Sequence, residues 1–566
     1  MSERIPRTRI AVVIVVIASA FSTLIWRVVD LHIMDHAFLA RQGDLRTIRE
    51  EVIPARRGMI TDRRGTPLAV SAPAWDIWVD PLHARPDKAE WQKLCKTLGL
   101  SCADVLARVV RAQSAGGRFL YLGRAVPPST KTKLDALDLD GVSARPVFKR
   151  FYPAGEVAAH VVGLTDIDEN GQEGIELRLD DILKGHDGLR KILVDGRGRL
   201  VRPLSRVRPA EPGQDVRLSL DMRLQYQAYR ELKAAVEAHA ARSGSLVMLD
   251  VRTGEVLAMV NQPSFNPNNR QTMDPEGLRN RAVVDTFEPG STVKPFTISA
   301  ALNSGRFSLD SVVNTSPGYL RLNGNTIRDV HAYGEIDLAT VIIKSSNVGT
   351  SKVALALGIE PVWDMFYKVG FGQATGIELP GEAVGVLPSF PKWPRVRIAA
   401  LSYGYGLSVT PLQLAHAYQV LANDGVATPV SILAGGTKGY SSRPVMPANV
   451  ARAMRGVLAR VVEKGGTGTR AALEAWRVAG KTGTVHRVGS NGYMDDNYIS
   501  VFAGFAPVDA PRIATVVVIE GASKGEYYGG EVAAPVFRRV VGSALRILNV
   551  KPDGGTWMRV AQGGMP

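Results

Sequence analysis

SLVMLDVRTGEVLAMV, residues 245–260, holds two apolar runs joined by Arg252-Thr253-Gly254, and its reading decides the fold. Two strand-length apolar runs on either side of a Gly-containing turn predict a β-hairpin. A second pair lies near the other end of the chain: YISVFAGFAPV (498–508) and RIATVVVIEG (512–521), separated by Asp509-Ala510-Pro511. Between the two pairs most of the chain reads as helix or loop. Strands at both ends of a domain with helices between them imply an α+β fold whose sheet unites distant segments.

Just upstream, LSLDMRLQYQAYRELKAAVEAHAA (218–241) has helix-forming composition with apolar residues three to four apart. It opens this domain after a break near Pro209 to Gly213. Further back, RRGMITDRRGTPLAVS (56–71) reads as strand, turn, strand. RFYPAGEVAAHVVGLTDIDENGQEGIEL (150–177) combines turn dipeptides with a helix-like AAHVVG. No internal repeat or low-complexity tract is present, and the Gly- and Pro-rich tail after Lys551 predicts a frayed end.

At the N-terminus Arg4, Arg7 and Arg9 precede an apolar run from Ile10 to Trp26, about 25 Å long as a helix. Val28 and Val29 extend it if Arg27 snorkels. The basic flank places the N-terminus in the cytoplasm and the rest of the chain outside. Ala18-Ser19-Ala20 resembles a signal-peptidase site, but the run continues apolar through Phe21, Leu24, Ile25 and Trp26, so an uncleaved anchor is expected.

With 566 residues, two or three domains are expected behind the anchor, and 45% hydrophobic with 22% charged residues favours neither a disordered nor a polytopic chain. A net charge of +15 favours an anionic neighbour such as membrane headgroups or a cell-wall polymer. The basic residues are scattered and no nucleic-acid-binding signature is present, so nucleic acid is not expected as a partner. Cys95 and Cys102 leave a local disulfide and two free thiols equally open, and their spacing is not that of a metal site.

A Ser with a Lys three residues on, in a helix, sets hydroxyl and amine on one face, where a neutral amine takes the hydroxyl proton. Ser389-Phe390-Pro391-Lys392 has this spacing, but its prolines read as loop. Ser291-Thr292-Val293-Lys294, in FEPGSTVKPFTISAAL, starts a helix after a Pro289-Gly290 turn. Helix-start amides favour the charge that develops in acyl transfer.

Two partners follow in order. Ser345-Ser346-Asn347 begins 54 residues after Ser291, and Lys481-Thr482-Gly483-Thr484 begins 136 residues after Ser345. Ser264-Phe265-Asn266 also fits the Ser-x-Asn pattern but precedes the nucleophile in a Pro/Asn-rich loop. Ser345 can relay a proton between Lys294 and a leaving amine, while Asn347 holds a substrate amide and the lysine. Lys481 supplies positive potential that depresses the Lys294 pKa. Thr482 and Thr484 offer hydroxyls to a carboxylate, and Gly483 lets the backbone approach a ligand. No G-x-S-x-G elbow supports a Ser-His-Asp triad, and His486 reads as a surface residue.

The ordered triplet resembles the penicillin-recognising serine acyltransferases. WRVVDLHIMDHAFL (26–39), the 56–71 segment and RFYPAGEVAAHVVGLT resemble the membrane-proximal pedestal of class B penicillin-binding proteins. TFEPGSTVKPFT, KSSNVG, LSYGYGLSVTPLQLAHAY and YYGGEVAAPVF resemble the transpeptidase domain of the division-specific FtsI type, also called penicillin-binding protein 3. The resemblance implies residues 1–9 in the cytoplasm, a 10–29 anchor, a β-rich pedestal over 30–215, a transpeptidase domain over 216–550 with an antiparallel sheet and flanking helices, and a 551–566 tail.

It further implies a D,D-transpeptidase without cofactor or metal, acylated at Ser291 by the stem pentapeptide, releasing D-Ala and passing the acyl group to a neighbouring stem amine. The oxyanion hole would be the backbone N–H groups of Ser291 and Thr484, and Ser346 and Tyr528 would join Thr482–Thr484 in binding substrate or β-lactam. The usual partners are an FtsW-type polymerase and other divisome membrane proteins, at the division septum of the bacterial inner membrane. Glu520-Gly521-Ala522-Ser523 departs from relatives that often carry a Pro there, which bears on rim geometry and β-lactam selectivity. Alternatives on the same fold are a serine β-lactamase, for which no deacylating Glu is identifiable by spacing, a β-lactam sensor and a D,D-carboxypeptidase.

Overall fold

In a computed structural model that describes residues 7–86, 89–195, 200–389, 392–436, 441–489 and 492–553, the chain divides into two units. One comprises 1–57, 71–149 and 184–213, and the other 58–70, 150–183 and 214–566. The tail beyond 553 and the first six residues lie outside the described residues.

The first unit begins with the helix Arg7–Val29, about 35 Å long, with no buried residue. It continues as a π-helix over Asp30–Met34, and the apolar window has a mean hydropathy of 2.3. Among the described residues this is one helix long and apolar enough to cross a membrane. Three antiparallel strands follow, Ile48–Ile53 and Leu200–Arg208 flanking Gly188–Val194.

A small core of this unit packs Trp91, Leu94, Val105 and Val109, from helices Glu90–Leu98 and Cys102–Ser114, against Ile77, Val79 and Leu122. Gly99, left-handed at φ 69°, ends the first of these helices. The Ser101 hydroxyl caps the second. Their junction brings Cys95 Sγ within 2.7 Å of Cys102 Sγ, with both thiols free. Burial first, then the neighbouring thiol, pushes Cys95 up to about 12.

In the second unit the two expected hairpins meet in one antiparallel five-stranded sheet. The order is Val256–Gln262, Ser243–Asp250, Ile513–Glu520, Gly492–Ala506, Ala479–Gly489. Every residue of Ser243–Asp250 is buried, because the strand has neighbours on both edges and cores on both faces. Helix Met222–Ala238, capped by the Asp221 carboxylate, covers one face with the C-terminal helix Gly529–Ile547. The other face carries the larger core, containing Phe296, Tyr418, Val247, Val501 and Val516.

The 58–70 and 150–183 segments belong to this second unit. Ile60, Leu68, Tyr152, Val161 and Ile175 enter its larger core. Strand Ile60–Thr61 turns at Asp62, whose Oδ1 accepts from Arg64 and Thr66 N–H, and returns as Pro67–Val79. Arg150 and Glu176 form a fully buried pair at 2.7 Å. The AAHVVG stretch contributes one helical turn, Ala159–Val162.

Candidate active site

Ser291 lies in a one-turn 3₁₀ helix, Gly290–Val293, that runs directly into helix Lys294–Asn303 with Pro295 in its first turn. The nucleophile turn is therefore tighter than a plain α-helix start. Gly290 has φ 54°, and a Cβ there would come within 2.3 Å of Val485 Cγ1. The turn is tied from behind: Thr292 Oγ1 donates to Pro289 O at 2.6 Å, and the buried Tyr418 hydroxyl donates to Thr292 O at 2.8 Å. Phe296 packs edge-on against both Tyr418 and Phe371.

One turn on, Lys294 is completely buried. Its Nζ donates to Asn347 Oδ1 at 2.7 Å and to Ser345 O at 2.6 Å, and lies 3.2 Å from Ser345 Oγ. Burial first, then the charge of Lys481, drives its pKa well below the usual lysine value against an opposing pull from Asp329. A neutral amine has two protons and a lone pair. Of its three partners only the Ser345 hydroxyl can donate as well as accept, so it can meet that lone pair.

Ser345 follows helix Leu338–Ile343 and holds φ 58°, a left-handed backbone that a non-glycine residue adopts at a strain of order 1–3 kcal/mol. Ser346 caps helix Asn347–Leu357 by accepting from Gly349 N–H at 2.8 Å, so its hydroxyl is committed to the motif's own backbone. Asn347 Nδ2 donates to Arg328 O at 3.0 Å, which aims its Oδ1 at Lys294.

Sequence reasoning missed Asp329. Its carboxylate accepts from Ser346 Oγ at 2.5 Å and from Val348 N–H at 2.9 Å, clamping the start of the Asn347 helix. It follows the hairpin Tyr319–Leu322 and Asn325–Arg328, whose turn residues Asn323 and Gly324 have φ 48° and 80°. Asn323-Gly324 marks the turn of that hairpin, but nothing in the sequence singles out the acid that follows it.

Lys481, Thr482, Gly483 and Thr484 lie on the edge strand Ala479–Gly489, which runs beside the nucleophile turn. A Cβ on Gly483 would sit 3.0 Å from Thr292 Cγ2 and 3.2 Å from Pro289 O, so the glycine admits close packing of strand against turn. Lys481 is fully buried, and burial lowers its pKa to about 7. Thr482 Oγ1 donates to Thr467 Oγ1 at 3.0 Å, and Thr484 Oγ1 accepts from Gly529 N–H at 2.9 Å.

That last bond sets Tyr528 beside the edge strand. Its half-exposed ring stacks on Tyr527, Tyr527 stacks on Tyr498, and His486 tilts against Tyr498. Gly521 takes φ 69° in the rim loop, and Ser523 and Lys524 N–H both donate to His239 O at 3.1 Å.

The Ser264 decoy is engaged elsewhere, and the 389–392 pair is only partly described. Ser264 Oγ donates to Glu156 O in a loop, and Phe390 and Pro391 of the other pair lie outside the described residues. Among the described residues no group of three or more His, Cys, Asp or Glu is arranged to hold a metal ion.

A model of the penicillin binding protein transpeptidase domain matches residues 244–542, and one of the penicillin-binding protein dimerisation domain matches 52–218. The chain is 41% identical over 98% of its length to the probable peptidoglycan D,D-transpeptidase PbpC of Pseudomonas aeruginosa, of which 97% is covered. It is 41% identical over 95% of its length to the peptidoglycan D,D-transpeptidase FtsI of Escherichia coli, with 91% of that protein covered. A crystal structure of penicillin binding protein 3 from Mycobacterium tuberculosis complexed with aztreonam superposes with a TM-score of 0.67 at 30% identity, over 89% of this chain and 98% of the other. The transpeptidase domain of Burkholderia pseudomallei penicillin-binding protein 3 gives a TM-score of 0.55 at 40% identity, over 59% and 97%.

Proposed function

Because this chain belongs to the penicillin-binding protein transpeptidases, and is a peptidoglycan D,D-transpeptidase, we propose that Ser291 is its nucleophile and neutral Lys294 its activating base. Lys294 takes the Ser291 proton as Oγ attacks the carbonyl of the penultimate D-Ala of a stem pentapeptide. The backbone N–H groups of Ser291 and Thr484 receive the oxyanion. As the peptide bond breaks, the proton passes through Ser345 to the departing D-Ala amine, and a neighbouring stem amine then displaces the acyl group from Ser291.

The observation that carries this reading is the buried Lys294 amine, bonded to Ser345 and Asn347 one turn from Ser291. Thr482 and Thr484 bind the substrate carboxylate in the positive potential of Lys481, and the half-exposed Tyr528 stands beside their strand, whereas the expected substrate contact of Ser346 is replaced by a buried one, its hydroxyl being held by Asp329 and Gly349 N–H. Ser291→Ala is expected to abolish covalent labelling by a tagged penicillin while the protein keeps its melting temperature. Labelling that survived the change would sink the assignment. Slow release of the labelled acyl group is also expected, and rapid turnover of the penicillin would favour a β-lactamase instead.

The one N-terminal helix that is long and apolar enough among the described residues, together with the FtsI relatives, supports a single-pass membrane protein, and its basic flank supports a cytoplasmic N-terminus with the catalytic unit outside. The expected pedestal (30–215) and transpeptidase (216–550) belong to the same proposal, with 58–70 and 150–183 packing into the second unit. Resemblance to FtsI supports a septal role, and with 52–218 matched as a dimerisation domain and 244–542 as a transpeptidase domain, glycan polymerisation is assigned to an FtsW-type partner. Depletion is expected to produce filaments, and normal division on depletion would count against the septal role.

A further inference from the structure

The chain holds two cysteines, Cys95 and Cys102, and the mechanism above uses neither. They meet where helix Glu90–Leu98 gives way to helix Cys102–Ser114, one in the last turn of the first and the other opening the second. The segment between them is fixed by its own backbone. Leu100 N–H donates to Cys95 O at 2.9 Å and Gly99 N–H to Lys96 O at 3.2 Å, so the left-handed turn at Gly99, φ 69°, folds the chain back beside Cys95. The Ser101 hydroxyl then starts the second helix by accepting from Asp104 N–H.

This turn leaves the two sulfurs 2.7 Å apart, with Cys102 Sγ also 3.6 Å from Trp91 O. Bonded sulfurs stand about 2.0 Å apart, so a side-chain movement of well under an ångström separates contact from bond. The two differ in access. Cys95 is 1% exposed, in the core with Trp91, Leu94, Val105 and Val109, whereas Cys102 is half-buried. Burial pushes the Cys95 thiol up to about 12 and keeps it neutral, so exchange with an outside sulfur starts at Cys102. Among the described residues no His, Asp or Glu completes a metal site with the pair, which leaves sulfur–sulfur chemistry as what the arrangement can do.

We propose that Cys95 and Cys102 are a modification site, joined after export by a disulfide that clips the two helices across the Gly99 turn. The proposal rests on the outward placement of this region, because an oxidising compartment preserves such bonds and the cytoplasm reduces them.

The oxidant is the disulfide of a thiol-oxidase protein. Cys102 gives its proton to solvent and its sulfur attacks one sulfur of that disulfide. The oxidant's other sulfur leaves with the electron pair of the broken bond and takes up a proton. Cys95 Sγ then attacks Cys102 Sγ, the bond from Cys102 to the oxidant breaks, and the departing sulfur takes the Cys95 proton. Two electrons have passed from the two thiols to the oxidant, which ends as a dithiol. Closing the 95–102 loop removes open conformations from the unfolded side of the helix pair, and so makes its opening rarer.

The test uses the full chain in detergent, where two cysteines make the readout unambiguous. Protein taken from membranes under acid trapping is denatured and alkylated, and its intact mass is measured. No alkylation is expected before reduction and two alkylated thiols after it. In a second arm the reduced protein is equilibrated with reduced and oxidised glutathione, and the intramolecular bond is expected to form. Amide hydrogen exchange across 91–109 should then slow by about tenfold or more. The paired Cys95→Ala and Cys102→Ala protein should show no such response.

Failure to form the intramolecular bond in glutathione, a covalent dimer in its place, unchanged amide exchange on oxidation, or the same slowing in the Ala pair would each overturn the clip itself. Two free thiols in protein from membranes, with the bond forming readily in glutathione, would overturn the proposal through the outward placement on which it rests.

Discussion

Lys294 can act as a base because burial and the nearby Lys481 keep it short of its proton, so acylation should depend on pH through that amine. Lys481→Met removes the neighbouring charge, and the acid limb of the acylation profile, followed with a tagged penicillin, is expected to move to higher pH. Folding carries the same signature. Lys481 binds its proton near pH 7 when folded and near 10.5 when unfolded, so between these values the unfolded chain holds more protons. Stability should therefore rise with pH across that window, and Lys481→Met should flatten the rise in melting temperature. Asp329→Asn withdraws a charged acceptor from Ser346 and Val348. At about 1.5–3 kcal/mol for bonds to a charged group, acylation should slow by roughly ten- to a hundredfold. Ser345, Asn347 and Lys481 were legible because three short motifs occur in a fixed order. Asp329 was not, because a single acid after a polar hairpin has no periodicity to mark it.

Between elements, the fit that bears most directly on the nucleophile is where its turn meets the Tyr403–Tyr405 bend. Gly404 has φ 94°, and a Cβ there would lie 2.1 Å from Gly290 O. Gly404→Ala should displace the turn by about an ångström and lower the acylation rate roughly a hundredfold, measured by penicillin labelling, with the rest of the fold retained. Helix Pro411–Ala422 begins with a capping box in which Thr410 and Gln413 exchange hydrogen bonds, while the Gln413 amide also holds Gln373 O and Val384 O. Thr410→Ala should reduce stability by about 1 kcal/mol, a fall of a few degrees in thermal melting. The Met222–Ala238 helix and the two sheet hairpins were readable from periodicity and turn chemistry. The ribbons over 312–337 were not separated from the surrounding helix and loop, because strands of three or four residues give too few alternations to register. The C-terminal helix Gly529–Ile547 was not read as a helix, only its start YYGGEVAAPVF as a family string, and Pro535 interrupts its local signal.

For the molecule as a whole, the apolar Arg7–Val29 helix is a separable part, since none of its residues is buried against the rest of the chain. Removing the first 34 residues should move the protein from the membrane to the soluble fraction with penicillin labelling intact. Membrane retention of that form would point to a second lipid-binding surface. The order of anchor, β-rich region and α+β domain could be read linearly, but the return of 58–70 and 150–183 to the second unit could not. Those segments carry local strand and turn signals, and nothing in a local signal names a partner hundreds of residues away. The wholly buried Ser243–Asp250 strand raises the same issue in time. One of its edges pairs with its hairpin neighbour, and the other waits for Ile513–Glu520 near the end of the chain. With the proposed orientation, secretion delivers the apolar strand first. Throughout that interval of export it stands open on one side, a template for wrong pairing or a client for an extracytoplasmic holdase, until its partner has crossed the membrane.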